Sequence, residues 1–429
     1  MCELFDIVVI GGGTAGVVAA LQTARAGMRT LLVEKNALPG GTMTAGGIAF
    51  PGLFYAWRHQ VIAGIGWELV TEAAAESGMP LPDFSTQIGM KNHSKYQVRL
   101  NPVVYSALCD EKMIAAGVNI LYHTMVAEVK VVSGIVELRL CTREGLCTVR
   151  ARRVIDCTGD ASVCSLAGYE VIHPAECQPA TLCCCLSGYD YNQLDENGLR
   201  SAIDRAVAAG ELRYTDLGWN KNGAALQFIR KNGDNANHIF PTLPPHTAAG
   251  RSVLEIEARR SLLRAWRFLR KQPGMEKLTI GFGAFECGVR ESAVIRGETT
   301  VTANDYISGR KYPDALCNSF YPIDLHEDSH GVVPKPLEEG TVPQVPFGAL
   351  VPHGSEYFLA AGRCISSDRL ANSALRVQAT SMATAQAAGA AAVASIQSEK
   401  AVYLTPLGKI GDILRKHGAI LPENAETHQ

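Results

Sequence analysis

Three glycines near the start of the chain carry the first recognisable chemistry. Residues 5–10 read FDIVVI and residues 11–16 read GGGTAG, so Gly11, Gly13 and Gly16 satisfy G-x-G-x-x-G directly behind a short apolar run that ends at Ile10. A continuous run rich in β-branched residues predicts a parallel strand buried on both faces. Gly11 permits a tight turn, and Gly13 removes a side chain where a diphosphate would meet the backbone. Gly16 lets the next helix pack closely on the strand. That helix (17–27), entered through Thr14 and Ala15, would turn unpaired N–H groups and a partial positive charge toward phosphates. A second strand (29–33) ends at Glu34, whose carboxylate can accept hydrogen bonds from both ribose hydroxyls and disfavours a 2′-phosphate. Strand, glycines, helix, strand and acid in this order predict a dinucleotide site rather than an ordinary glycine-rich turn. The spacing alone does not choose FAD over NAD.

Further stretches make that choice. Residues 35–47 read KNALPGGTMTAGG, 154–168 read VIDCTGDASVCSLAG, and 358–374 read FLAAGRCISSDRLANSA. With 289–306, 321–326 and 375–392, they give a chain that resembles the glutathione-reductase-type FAD flavoproteins over nearly its whole length. Within them it is similar to the FAD-dependent oxidoreductase family, related to the fumarate reductase and succinate dehydrogenase flavoproteins. The resemblance implies an α/β fold: a Rossmann-like FAD-binding domain, with a central parallel sheet and a three-stranded β crossover, plus an inserted α+β substrate or cap domain. It implies that Gly40, Gly41 and Thr42, in the segment opened by Lys35, lie along the pyrophosphate and the flavin edge. Backbone at Val126 would bracket the adenine, and the Thr158-Gly159-Asp160 turn would lie near the adenosine end. Gly362 and Arg363 stand where many relatives hold the ribityl chain with a Gly-Asp pair, a departure at that contact. Amides of 370–374, including Asn372, Ser373 and Ala374, would open a helix aimed at the flavin N1/C2=O edge. Residues 40–50 contain no histidine, so noncovalent FAD is expected.

A flavin performs the redox step, and the protein must supply a proton acceptor and an anion clamp. His326, in YPIDLH, is the first candidate, because an imidazole can take a proton as hydride leaves. Asp324 lies two residues earlier, on the same side of an extended segment, where it could orient the ring or cap a turn. Arg376 follows the flavin-edge segment and could clamp a carboxylate or an enolate-like charge. Arg290 is the third candidate. Relatives often carry further arginines just after it, whereas here Ala293 and Val294 stand there. For each of the three, the competing reading is a structural role. His59 and His93 fall in the region expected to fold over the flavin, and Asp368 and Arg369 could pair with each other.

Composition bounds the remaining classes. The 429 residues are 47% hydrophobic and 19% charged, enough for two to three globular domains. We expect an FAD-binding domain in two parts, residues 1–170 and 345–429, around a substrate or cap domain at 171–344. Helices are expected near 59–77, 102–116, 194–209 and 252–271, and strands near 118–122, 125–132, 135–141, 147–151, 180–186 and 278–285. Forty basic residues against 42 acidic ones leave a charge of −2, with no footprint for nucleic acid or anionic membrane. The basic helix around 258–272 reads as a solvated face, and the alanine-rich stretch 379–396 as a packed helix rather than a membrane span. Thirteen cysteines form no C-x-x-C pair and join no histidine cluster, so no metal is expected. Buried thiols and the absence of a signal-peptide pattern point to the cytoplasm. No G-x-S-x-G, H-E-x-x-H or Walker motif is present. The reading is an FAD-dependent dehydrogenase of a small polar molecule. Its electron acceptor is unnamed, and a homo-oligomer stays open. The alternatives are a flavin monooxygenase or oxidase, or a non-redox dinucleotide-binding protein of thiazole-synthase type.

Overall fold

The computed structural model describes residues 3–86, 89–219, 225–281, 283–327 and 331–423. The N-terminal apolar run forms strand Glu3–Ile10, flanked by parallel strands Thr30–Val33 and Gly145–Asp156. Asn119–Leu121 extends the sheet beyond one neighbour, and Phe358–Ala360 joins beyond the other. The parallel sheet is thus built from both ends of the sequence. Thr30–Val33 is buried along its whole length, as a strand covered on both faces must be.

Strand Gly145–Asp156 changes partner halfway. Residues 145–151 pair antiparallel with Ile135–Thr142, which pairs in turn with Met125–Val132. Residues 154–156 then pair with Phe358–Ala360. This is the expected three-stranded crossover feeding a parallel sheet.

Helices Thr14–Arg25 and Gln378–Gln397 lie side by side on one face. Every residue from Ala379 to Ile396 is buried, and half of them are alanine. Close approach depends on Gly389, where a Cβ would sit 2.9 Å from Gln22 Cγ and 3.1 Å from the Ala19 carbonyl. Small residues here let two helices share one well-packed layer. Among the described residues no helix is long and apolar enough to cross a membrane.

Between these parts lies a smaller sheet, Gly233–Asp234, Cys184–Ser187 and Thr279–Gly281, all antiparallel. Helices Glu196–Ala208 and Ala248–Leu269 cover it around a separate core that includes Leu186, Ile203, Phe228 and Leu269. The strand expected at 180–186 begins only at Cys184, because Ala180 and Thr181 bridge singly to Ile239 and Gly288. Val301, Tyr306, Phe320 and Ile323 pack instead in the core of the large sheet's helices.

The helix expected near 59–77 is shorter. It runs Ile65–Glu76, and His59–Gln60 pairs with Tyr55–Ala56 in a hairpin turned by Trp57 and Arg58 at positive φ. Gly64, at φ +82°, separates hairpin from helix. Cys184 is buried and Cys185 exposed, so neighbouring thiols face opposite sides. Cys141 and Cys147 are exposed as well.

Candidate functional site

The glycine turn divides its tasks as the motif predicts. Gly11 takes φ +94°, and a Cβ there would lie 2.6 Å from the Cys157 carbonyl. A Cβ on Gly16 would lie 1.7 Å from the Gly11 carbonyl, so the helix seats directly on the turn. Gly13 differs: its Cβ would meet only Gly41 Cα, at 3.8 Å. Protein therefore leaves that side open. Helix Thr14–Arg25 starts there without a side-chain cap, so its first N–H groups remain for a ligand.

Other elements close around this turn. The Gly40 N–H donates to the Gly12 carbonyl at 2.8 Å, and Thr14 Oγ1 donates to the Gly40 carbonyl at 3.1 Å. These bonds press the Gly40-Gly41-Thr42 segment onto the glycine turn. Glu34 is buried; its Oε2 accepts from the Gly12 N–H at 2.6 Å and its Oε1 from the Asn36 N–H at 2.8 Å. Burial raises its carboxyl above the usual range, and those two bonds only partly oppose the shift. Each oxygen keeps a further lone pair. Thr158 is fixed by Asp156, which accepts from its N–H and its hydroxyl. Val126 sits half-buried just past Thr124, whose N–H donates to the Glu34 carbonyl. An open backbone face, an uncapped helix start and a buried acid with spare acceptors fit a dinucleotide.

Asp160 and Arg363 are committed to one another. Arg363 Nη2 lies 2.7 Å from Asp160 Oδ1, and Arg251 Nη2 lies 3.2 Å from Oδ2. Burial would raise Asp160, but the Arg363 and Arg251 charges hold it below the usual range. Gly159, at φ +75°, leaves room for the Arg363 guanidinium. Lys35 turns away to Glu286, at 2.6 Å.

Residues 370–374 lie in a short helix whose start carries a side-chain cap. Helix Arg369–Leu375 is capped by Asp368, whose Oδ1 accepts from the Ala371 N–H at 2.8 Å. Asn372 donates to the Arg363 carbonyl and to Ser367 Oγ, Ser373 donates to the Leu370 carbonyl, and Ala374 is buried. The helix start without a side-chain cap is the next one, Gln378–Gln397. At Gly362 a Cβ would lie 3.0 Å from Ala15 Cβ and 3.8 Å from Ser381 Cβ. Two uncapped helix starts therefore open at the same end of the sheet. Gln378 Nε2 donates to the Ile48 carbonyl at 2.8 Å, and the Ala379 N–H to the Gly52 carbonyl, drawing segment 41–52 across that end.

Beside the second helix start lies a buried cluster of ionisable groups. Alternation along strand Ile323–Glu327 puts Asp324 and His326 on one side. His326 Nε2 lies 3.2 Å from Asp324 Oδ2, and its Nδ1 lies 2.7 Å from His238 Nε2. Arg376 Nη2 is 3.3 Å from the Asp324 carbonyl and 3.8 Å from Oδ2, and its buried Nε has no partner among the described residues. Arg290, 7% exposed, donates to the Pro179 carbonyl at 2.7 Å. The structure thus brings His326, Arg376 and Arg290 together.

Electrostatics follow from burial. Desolvation and the Arg290 charge push His326 down to about 4, against the pull of Asp324, so the ring is neutral at pH 7. Burial would raise Asp324, yet the His326 hydrogen bond and both arginines hold it well below the carboxylate range. Desolvation, with Arg376 nearby, lowers Arg290 to about 10. Burial beside Asp324 pushes the Tyr321 phenol up, so it stays protonated.

His238 has no counterpart in the sequence reading, for it stands in no motif, and Tyr321, though it opens YPIDLH, was not among the candidates. His93 comes close through its ring edge, 5.0 Å from Tyr321. His59 stays in the hairpin and is exposed. Arg369 pairs with Glu291 at 3.1 Å rather than with Asp368.

Comparison with known proteins adds the family. The family model described as "FAD dependent oxidoreductase" matches residues 6–410. Short segments resemble mitochondrial dihydrolipoyl dehydrogenase of Caenorhabditis elegans, 62% identical over 37 residues, covering 9% of this chain and 8% of that protein. Another resembles thiamine thiazole synthase of Methanococcoides burtonii, 48% identical over 46 residues, covering 11% and 18%. The matches thus span less than a fifth of these relatives' lengths. Among solved structures, CabE, an aromatic hydroxylase from angucycline biosynthesis, aligns with TM-score 0.42 and 13% identity over 96% of this chain and 65% of its own. A geranylgeranyl bacteriochlorophyll reductase-like protein of Thermoplasma acidophilum aligns with TM-score 0.40 and 12% identity over 97% and 84%. The family match spans the glycine turn, the crossover strands and the buried cluster alike, and the chain belongs to the FAD-dependent oxidoreductase family.

Proposed function

We propose that this FAD-dependent oxidoreductase is a dehydrogenase of a small carboxylate-bearing molecule, held between Arg290 and Arg376. The observation that carries the reading is the charge count of the cluster. Two buried guanidinium groups face the Asp324 carboxylate, the nearby Glu291 is already paired with Arg369, and among the described residues Arg376 keeps a buried N–H without a partner. A buried donor left unpaired costs about 1–3 kcal/mol, so a ligand acceptor there is strongly favoured. One further negative charge brings the cluster to neutrality.

Noncovalently bound FAD supplies a two-electron acceptor for hydride. Glu34, the glycine turn and the Gly40–Thr42 backbone would hold the dinucleotide, and the Gln378 helix start would offer its positive end to the cofactor. Arg290 and Arg376 orient the acid. The chain Asp324, His326 and His238 takes up the proton that the substrate loses from a neighbouring atom as the hydride departs, with His326 neutral beforehand and backed by the Asp324 carboxylate. Trp219 sits 6.4 Å from both histidine rings and helps keep water out.

The test is anaerobic bleaching of the flavin absorbance against a panel of small acids, sugars and alcohols. We expect acids to bleach it and their amides to fail. Arg376→Ala should weaken the acid at least tenfold, and His326→Ala should slow bleaching at least tenfold with FAD still bound. An unchanged rate removes His326 from the mechanism. Oxygen uptake with hydroxylated product would replace this reading by that of a monooxygenase.

A further inference from the structure

His326 is more constrained than a free base. Its Nε2 faces the carboxylate of Asp324, which when ionised can only accept, so that nitrogen must carry hydrogen. In the neutral ring Nδ1 is then a lone pair. It lies 2.7 Å from His238 Nε2, a contact with room for one proton, so His238 must be the donor. Neutral His238 is left with its own lone pair on Nδ1, a buried atom that accepts no hydrogen bond among the described residues. The Trp219 backbone is near enough to favour the charged ring slightly, but forms no hydrogen bond to that nitrogen. Hydrogen-bond chemistry therefore allows one arrangement of protons along Asp324, His326 and His238.

We infer that His238 is a positioning residue for His326: it fixes the Nε2–H tautomer, and a proton reaches His326 only through it. A proton arriving on His238 Nδ1 releases the Nε2 proton to His326 Nδ1. His326 becomes an imidazolium bonded to the Asp324 carboxylate, while His238 stays neutral in its other tautomer. One proton enters, one shifts between the rings, and no co-reactant is needed. The groups facing the pair agree with this. Arg290 opposes a positive charge on both rings and Arg376 opposes one on His326, whereas Asp324 favours it on both and the Trp219 backbone favours it on His238. Two charged rings cannot coexist there, so the pair takes up a single proton. Trp219, Phe240 and the rings themselves form an aromatic enclosure, with Phe240 6.0 Å from His238. Gln178 Oε1 holds the His326 backbone N–H at 3.2 Å, which keeps the strand from sliding the ring out of line.

The inference concerns the proton path of the site proposed above, but its test needs no substrate. FAD-loaded full-length protein labelled with 15N-histidine would be titrated by NMR, with His326 assigned through His326→Gln. At pH 7 we expect His326 to show hydrogen on Nε2 and none on Nδ1, and both rings to shift in one shared step on acidification. In His238→Ala, His326 should titrate alone, with its midpoint moved by at least one pH unit. His238→Gln, whose amide can still donate to Nδ1, should keep the tautomer. Hydrogen on Nδ1 of His326 at pH 7 would overturn the inference, and so would an identical titration in His238→Ala. If that variant does not fold, the tautomer in the unsubstituted protein decides. If no acid bleaches the flavin while the rings titrate together, the dehydrogenase reading fails and the coupling stands.

Discussion

Glu34 illustrates how one residue can serve the fold and a ligand together. Its two oxygens already take the N–H groups of Gly12 and Asn36, so the carboxylate holds the glycine turn in shape before any ribose arrives. Glu34→Gln would turn an amide NH2 toward one of those N–H groups. Hydrogen bonds to a charged group contribute about 1.5–3 kcal/mol, so we expect FAD affinity to fall at least tenfold, read from the flavin-to-protein absorbance ratio after gel filtration. Asp160 behaves differently. It joins Arg363 to Arg251 and is the single carboxylate between them. Asp160→Ala leaves both cations uncompensated. Removing one partner of a buried pair costs on the order of 3 kcal/mol, and the partial exposure of Arg251 places the effect toward the lower end. A chemical denaturation curve measures it.

At the scale of elements, much of the architecture was legible in the sequence. The FDIVVI run, the spaced glycines and Glu34 fix strand, turn, helix and second strand by local sterics, and each reappears in its place. Arg376, Arg290 and His326 were readable as candidates because each stands within a family-like stretch. His238 was not, because its partner lies 88 residues away and nothing local in NANHIF marks it. The sequence reading pointed to the start of Arg369–Leu375; the structure gives that start a side-chain cap and leaves the next helix start without one. Asp368 before RLANSA is a helix-capping residue, which marks Arg369–Leu375 as a capped start, whereas Val377 before Gln378 has no side chain that can cap. The shortened helix at Ile65 was marked by Gly64, whose positive φ no periodicity reveals. Helix contact also yields a test. Gly389→Leu would force a side chain against Gln22 and Ala19. Overpacking of this kind costs about 1–3 kcal/mol, and we expect the melting temperature to drop by several degrees.

For the whole molecule, the buried histidines tie stability to pH. The native His326 ring takes up a proton only near pH 4, whereas an unfolded ring does so near 6.5. Between those values the unfolded chain binds more protons, so stability is complete above about 6.5 and falls as pH drops toward 4. His238, lowered by burial and Arg290, acts in the same direction. The slope reaches about 1.4 kcal/mol per pH unit for each proton taken up. Thermal melts from pH 7.5 to 4.5 should show it, and His326→Gln should flatten the curve.

Segment 41–52 is stitched on both margins. Gln378 and Ala379 grip Ile48 and Gly52, while the Ala45 carbonyl accepts from Phe285 and Lys35 grips Glu286. A coenzyme lying along this strip would rest on a segment tied at both margins to the rest of the fold. Release and denaturation should therefore coincide: on heating, the rise of free-flavin fluorescence should track the loss of tryptophan signal, and dialysis alone should leave the protein yellow.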